Sequence, residues 1–269
     1  MTKIISIFLS LILPAVYAAD VVIGRIGQTI TWSANPGGNF VAQFGTSSPI
    51  TIYAMECTNA YSYATISDLL NIGAKDFTIS LWLYPKAWNI GTDDAAVIFR
   101  LDNIYPTFQV HPPAVGGALY YLDDVQAVSH TAPAVSNWTH IVVSYSSVSG
   151  KLLYYNGVPV ATNSSTSTKT LTSGLVFLFQ CQSGTPRAPA AMMCEFAVWT
   201  NSLSQSDVSA LYSTTNIPAA NLSVSPWNNG YLRCALHLTN STGTSDTDIT
   251  GHGFDATLGN GMTWGSATR

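Results

Sequence analysis

The run Asn137-Trp138-Thr139-His140-Ile141-Val142-Val143-Ser144-Tyr145, followed by Lys151-Leu152-Leu153-Tyr154-Tyr155-Asn156-Gly157-Val158-Pro159-Val160, constrains the fold more than any other stretch. It reads as a strand, a turn, a second strand, an Asn-Gly hairpin and a third strand. Thr139, Ile141, Val143 and Tyr145 share one face of the first strand, and Trp138, His140, Val142 and Ser144 share the other. Asn156-Gly157 suits a tight type I′ turn, because both central residues tolerate positive φ. A strand buried on one face and a hairpin at a sheet edge imply a sandwich of antiparallel sheets.

This block resembles the laminin-G-like, concanavalin-type jelly roll, in which a "Trp-Thr-His-Ile/Val-Val" strand precedes a "Tyr-Asn-Gly" hairpin. Asp76-Phe77-Thr78-Ile79-Ser80-Leu81-Trp82-Leu83-Tyr84-Pro85 is similar to the family's "Phe-Thr-Ile-Ser-x-Trp" strand. Cys194-Glu195-Phe196-Ala197-Val198-Trp199 is similar to its late "Val-Trp" strand, and Leu203 to Tyr212 to the short helix that follows. The helix also stands on its own chemistry: Ser204 caps the first turn, Asp207 reaches back, and Leu203 staples onto Val208. The resemblance covers residues 40–265. It implies an all-β, two-sheet antiparallel jelly-roll sandwich with one short helix, a single domain over 19–269. Asp248-Ile249-Thr250-Gly251-His252-Gly253-Phe254-Asp255-Ala256-Thr257-Leu258 resembles an element that usually opens such domains. Its place near the C-terminus implies either a circularly rearranged sandwich or the start of a further, truncated repeat. The rearrangement is preferred, with residues 228–265 completing the sheets, because the N-terminal strands alone would leave one edge unpaired.

The first residues read as a secretory signal peptide, 1–18. Lys3 supplies the positive start, Ile4 to Ile12 an apolar run, and Val16-Tyr17-Ala18 a small-residue cleavage site. The run is shorter than the roughly 20 residues that span a bilayer, so no membrane insertion is expected. The expected location is extracellular, or a cell or virion surface. Four cysteines, Cys57, Cys181, Cys194 and Cys234, allow three disulfide pairings in an oxidising compartment. Cys181–Cys194 is favoured, because the two flank one loop between apolar strands, and this leaves Cys57–Cys234. Asn-x-Ser/Thr sequons begin at Asn137, Asn163, Asn221 and Asn240, of which Asn163 and Asn240 lie in Ser/Thr-rich, loop-like surroundings. Asn137 belongs to the strand motif.

Charged residues are 9% of the chain, 14 acidic against 10 basic, without a basic cluster, which excludes an electrostatic footprint for nucleic acid. The only glutamates are Glu56 and Glu195, and no Glu-x-Asp-x-x-Glu strand pairs carboxylates for glycoside hydrolysis. Gly-x-Ser-x-Gly, His-Glu-x-x-His and phosphate-loop patterns are absent as well, so no catalytic residue is assigned. His140, within a strand, reads as structural.

The resemblance implies non-catalytic recognition of glycans or of cell-surface and matrix glycoproteins, as in adhesion, with calcium as the cofactor to expect. Asp246, Asp248 and Asp255, with glycines between, form one oxygen-rich loop suited to a hard cation; Asp102-Asn103 and Asp123-Asp124 form others. Trp82, Trp138 and Trp199 match family core positions. Trp88, Tyr105, Tyr120 and Tyr121 lie near loops or strand ends and are the aromatic candidates for a sugar face, beside Asp102, Asn103, Asp123 and Asp124. A structural surface protein that self-associates through its sandwich is the alternative. A third reading, a hydrolase or lyase, needs Asp102 to converge with Asp124 or His111.

Overall fold

The computed structural model describes residues 30–34, 40–44, 51–58, 62–67, 76–88, 96–101, 107–110, 117–122, 127–166, 176–179, 188–213, 222, 224–259 and 261–268. Residues 1–49 form one unit, of which the hairpin β1 (Ile30–Ala34) and β2 (Phe40–Phe44) is described; residues 50–269 form another. The expected signal peptide, the turn that Asn35-Pro36-Gly37-Gly38 implies between two strands, and Asn221 lie outside the described residues.

The second unit is a sandwich of two antiparallel sheets. The first contains β3 (Thr51–Cys57), β5 (Phe77–Ala87), β10 (Thr139–Ser146), β11 (Gly150–Tyr155), β12 (Val158–Asn163), β14 (Ala190–Trp199), β15 (Leu232–Leu236) and β18 (Met262–Thr268). Its order is β12-β11-β10-β5-β14-β3-β18, with β15 also pairing β14. The second contains β4 (Ala64–Ile66), β6 (Ala96–Leu101), β7 (Thr107–Val110), β8 (Ala118–Leu122), β9 (Ala127–Thr131), β13 (Val176–Leu178), β16 (Ser245–Asp246) and β17 (Ala256–Leu258). Its order is β16-β17-β4-β13-β6-β7-β8-β9.

Alternation fills the space between the sheets. Phe77, Ile79, Leu81 and Leu83 of β5 and Ile141, Val143 and Tyr145 of β10 point inward, towards Ile98, Phe99, Leu119 and Tyr121 of the facing sheet. Ring contacts tie the layers: Phe77 to Tyr121 at 6.1 Å and Phe99 to Phe196 at 5.9 Å. Each fully buried large apolar side chain contributes about 1.5–3 kcal/mol. Tyr121, considered from sequence as a sugar-facing aromatic, is wholly buried in this core.

The hairpin follows its sequence. Asn156 and Gly157 have φ of 51° and 77°, the two positive values that a type I′ turn requires. β10 departs from expectation in one respect: it is buried on both faces. His140, Val142 and Ser144 face away from the inter-sheet core, yet the helix α1 (Gln205–Ser213) and the Ser202-Leu203 stretch before it cover them. Val142, Tyr154, Ala197, Trp199, Leu203, Val208, Leu211 and Trp227 belong to this second apolar cluster. The helix is fixed by the expected capping box, in which Asp207 N donates to Ser204 Oγ and Ser204 N to Asp207 Oδ2, both at 3.2 Å. A bulge at Glu195, with φ of 54°, re-phases β14 so that Met193, Phe196 and Val198 all face the inter-sheet core.

Residues 256–268 add β17 beside β4 and β18 beside β3, one strand to each sheet. The C-terminal element therefore completes the same sandwich, as its resemblance implied.

The Cys57–Cys234 bridge does not form. Cys57 pairs with Ala191 and Cys234 with Val198, seven residues further along β14. At about 3.3 Å per residue that is roughly 20 Å, against about 4–7 Å between the Cα atoms of a disulfide. Cys234 is instead a buried thiol whose Sγ donates to the Phe254 carbonyl at 3.8 Å. Burial and then the nearby Asp248, Asp246 and Asp255 push that thiol well above its ordinary pKa, which keeps it protonated and inert. No disulfide joins Cys57, Cys194 and Cys234 to one another. Cys181 lies outside the described residues.

Candidate functional site

Among the described residues, α1 covers one end of the face of the first sheet that turns away from the core. Beyond the helix, alternation brings Trp82 and Tyr84 of β5, Met192 and Cys194 of β14 and Ile52 and Ala54 of β3 to this face. One lateral row runs Tyr84, Met192, Glu56, Thr263 across four strands. Because Leu83 pairs with Thr139, Trp138 extends the row beside Tyr84, and the two rings lie 5.4 Å apart at 54°. Both rings are half-buried. The indole Nε1 of Trp138 is buried and finds no acceptor among the described residues.

Charge sits beside the aromatics. Lys86 Nζ, one step beyond Tyr84 on the same face, pairs with Glu56 Oε1 at 2.5 Å. The pair reaches from β5 to β3 across the intervening β14, where Met192 is 0% exposed. The Lys86 side chain is 41% exposed and that of Glu56 18%, so the pair contributes only about 0–1 kcal/mol to stability. Gly265 makes the arrangement possible, since a Cβ there would overlap the Glu56 carboxylate. The platform thus combines two aromatic faces, an ammonium, a carboxylate and a hydroxyl at Thr263, the mixture that binds a polyol with one apolar face.

None of these positions except Trp138 carries a signal of its own in the sequence, and Trp138 matches a family core position. The usable signal was parity: Trp138 alternates with Thr139, and Tyr84 with Leu83, away from the core.

Under α1 the same face is closed. His140, 1% exposed, has Nε2 at 2.8 Å from Ser80 Oγ and lies against Trp82 at 5.0 Å, and Tyr212 of the helix stacks on Trp82 at 5.7 Å. His140 is thus buried between β5 and α1.

The residues singled out from sequence fare differently. Trp88 is half-buried against the core and its Nε1 donates to Pro133 O at 3.0 Å, so it is committed to packing. Tyr120 is half-buried on β8, paired with Gln109 and Ser129. Asp102, Asn103, Tyr105, His111, Asp123 and Asp124 lie outside the described residues.

The three aspartates expected to hold calcium accept hydrogen bonds from within the turn. Asp248, 3% exposed, accepts from Ala235 N at 3.1 Å, Thr250 N at 3.1 Å, Phe254 N at 3.3 Å and Thr250 Oγ1. Asp246 accepts from Leu238 N at 2.8 Å and Asn240 Nδ2 at 2.7 Å, and Asp255 from Asp248 N at 2.9 Å. Among the described residues no group of three His, Cys, Asp or Glu side chains is placed to hold a metal.

This turn carries a pH response. Burial holds His237 below its ordinary value of 6.5, partly offset by the Asp246 carboxylate. A depressed histidine contributes stability that is present above about 6.5 and lost as pH falls towards its folded-state value. Burial raises Asp246 above its ordinary 3.8, which works in the opposite sense at lower pH. We expect the unfolding temperature to fall as pH goes from 7.5 to 5, and His237→Asn to flatten that fall. An unchanged slope in the variant would refute the assignment.

Of the sequons, Asn137 is exposed in the turn before β10, its Nδ2 donating to Val135 O at 3.0 Å. Asn240 is exposed and its Nδ2 donates to Ser245 O and Asp246 Oδ1. Asn163 ends β12 rather than lying in a loop, and its Nδ2 donates to Ala127 O at 2.7 Å. A glycan on Asn163 would remove that strand-to-strand tie.

Residues 58–209, more than half of the chain, match the family model described as the Concanavalin A-like lectin/glucanases superfamily. Among solved structures, the fold is similar to a Bacteroides ovatus protein named as a candidate carbohydrate binding protein, with 16% identity and a TM-score of 0.57. The alignment covers 89% of this chain and 66% of that one, just under two thirds of its length. A heptameric SAP-like pentraxin from Limulus polyphemus aligns at 15% identity and a TM-score of 0.46, over 62% of this chain and 84% of that one. A Trypanosoma rangeli sialidase aligns at 10% identity and a TM-score of 0.47, over 72% of this chain and 31% of that one. No curated protein sequence gives a match.

Proposed function

Because the chain belongs to the concanavalin A-like lectin/glucanases superfamily, we propose that it is a non-catalytic extracellular recognition module that binds glycans or glycoproteins. The observation that carries this reading is the outward platform of Trp138 and Tyr84 beside Lys86, Glu56 and Thr263. Exposed aromatic faces take the apolar face of a sugar ring, and an ion pair and a hydroxyl meet its equatorial groups. A rigid sheet supplies the preorganisation that keeps the cost of binding low. The carboxylate nearest the aromatics is tied to Lys86, which suits hydrogen bonding to ligand better than proton transfer. The carbohydrate-binding name of the similar Bacteroides ovatus protein agrees with this assignment. Since Asp246, Asp248 and Asp255 are engaged by backbone donors, recognition at the platform proceeds without calcium at that turn.

The test is a glycan array probed with the secreted protein, in calcium and in EDTA, beside Trp138→Ala and Tyr84→Ala. A central tryptophan is worth about 2 kcal/mol or more, so Trp138→Ala is expected to weaken binding by roughly 30-fold. Binding by the wild type should persist in EDTA. If both variants fold and bind as the wild type does, the platform is not the site. Loss in EDTA would return the cation to the mechanism.

A further inference from the structure

Two successive rungs of the first sheet carry ring pairs on its outward face. Thr139 pairs with Leu83 and His140 with Trp82. Trp138 therefore stands beside Tyr84 in one rung, and His140 beside Trp82 in the next, about 7 Å further along the strands. The rings lie 5.4 Å apart in the first rung and 5.0 Å apart in the second. The rungs differ in their cover. Trp138 and Tyr84 are half-buried, whereas Trp82 is 3% exposed and His140 1%.

One side chain of α1 roofs the second rung. Tyr212 lies over Trp82 at 5.7 Å and 24°, and over His140 at 6.2 Å and 20°. That near-parallel placement is the one in which a flat-faced ring meets an aromatic. The hairpin turn backs the roof: a Cβ on Gly157 would stand 3.1 Å from Tyr212 Cβ and 3.3 Å from its Cδ1. Gln205 Nε2 and Ser209 Oγ donate to Gly157 O at 2.6 and 3.3 Å, which fixes the helix to the same turn. The seat of the helix lies elsewhere. Val208 and Leu211 belong to the apolar cluster around Trp199, while Tyr212 packs against the separate cluster of Trp82, Met192 and Cys194.

We propose that Tyr212 is the specificity-determining residue of the platform. Its ring occupies the place over Trp82 and His140 that a second sugar ring would take. A glycan therefore stacks one unit on Trp138 and Tyr84 and is stopped from extending along the strands onto the second rung. The inference rests on the glycan-binding reading of the platform and names its ligand class: glycans held through a single stacked unit. Because seat and roof are separate, removing the Tyr212 ring opens the second rung while α1 stays in place. Tyr212→Phe keeps the ring and hence the roof.

The experiment is a glycan array carrying each sugar as a monomer and as its linear oligomers, probed with the full chain and its variants, with circular dichroism as the folding control. The wild type and Tyr212→Phe should bind oligomers about as well as monomers. Tyr212→Ala should prefer oligomers by roughly fivefold, the gain of one added aromatic contact. Adding Trp82→Leu to Tyr212→Ala should abolish that gain. A folded Tyr212→Ala with the wild-type length preference overturns the proposal, and so does a gain that survives Trp82→Leu. A Tyr212→Ala chain that does not fold overturns it too, since the ring would then belong to the seat of the helix. If the wild type binds no glycan, or Trp138→Ala binds as the wild type does, the platform reading fails and this inference with it. A clear Trp138→Ala loss beside an unmoved length preference fails this inference alone.

Discussion

Asp248→Ala is expected to lower unfolding free energy by about 3–5 kcal/mol, because one buried carboxylate satisfies three backbone donors at once. Ala235 N, Thr250 N and Phe254 N all donate to it, and Thr250 Oγ1 adds a fourth bond. Each buried donor left without an acceptor costs about 1–3 kcal/mol, and a bond to a charged group is worth more than a neutral one. The bonds connect β15 to the turn that leads into β17, so their loss frees the C-terminal closure of both sheets. Asp248→Asn retains one acceptor oxygen and should cost less. Urea unfolding measures the difference, and hydrogen exchange at Ala235 and Phe254 shows where it acts. A loss under 1 kcal/mol would mean that these contacts are not the role of the residue. The wild-type unfolding temperature should also be the same in EDTA and in calcium. A rise with calcium would show cation binding that the turn geometry does not suggest.

That turn shows how one composition can serve two chemistries. Asp246, Asp248 and Asp255 with their glycines have the composition of a cation loop. The same composition is what a tight turn needs when its carboxylates must accept backbone N–H groups, and only coordinates separate the two. The strand motifs were legible because they are local: Phe77 to Tyr84 and Thr139 to Tyr145 alternate at the period of a strand, and Asn156-Gly157 specifies its turn. The cover of β10 by α1 was not legible, since parity reveals two faces but not what lies over the second. The Cys57–Cys234 expectation failed for a related reason. Nothing in the spacing of Cys57 and Cys234 reveals that they pair with opposite ends of β14. The platform was hidden most thoroughly. Glu56, Lys86 and Trp138 are far apart in sequence and meet only through sheet order β10-β5-β14-β3, which no local pattern encodes.

Trp199→Ala should produce the other large loss, about 3–5 kcal/mol, and its consequences reach the far end of the same sheet face. Trp199 is 0% exposed, packs on Trp227 at 5.2 Å and donates from Nε1 to Pro226 O at 3.2 Å. It lies in the apolar cluster that seats Leu203, Val208 and Leu211, and so holds α1 onto the sheet. The helix in turn carries Tyr212 onto Trp82 and His140, where the closed part of the face meets the open platform. Truncating Trp199 should therefore raise hydrogen exchange in Gln205–Ser213 before the rest of the sandwich opens. Trp227→Phe is the contrast. Trp227 is 7% exposed, and its Nε1 is buried without an acceptor among the described residues. Replacing the indole there removes a donor that costs energy to bury, and this offsets part of the lost packing, so the change should stay near 1 kcal/mol. Trp199→Phe removes the same volume as Trp227→Phe, so equal losses from that matched pair would show that volume alone decides stability in this cluster. A larger loss at Trp199 would show that the Pro226 bond adds to it.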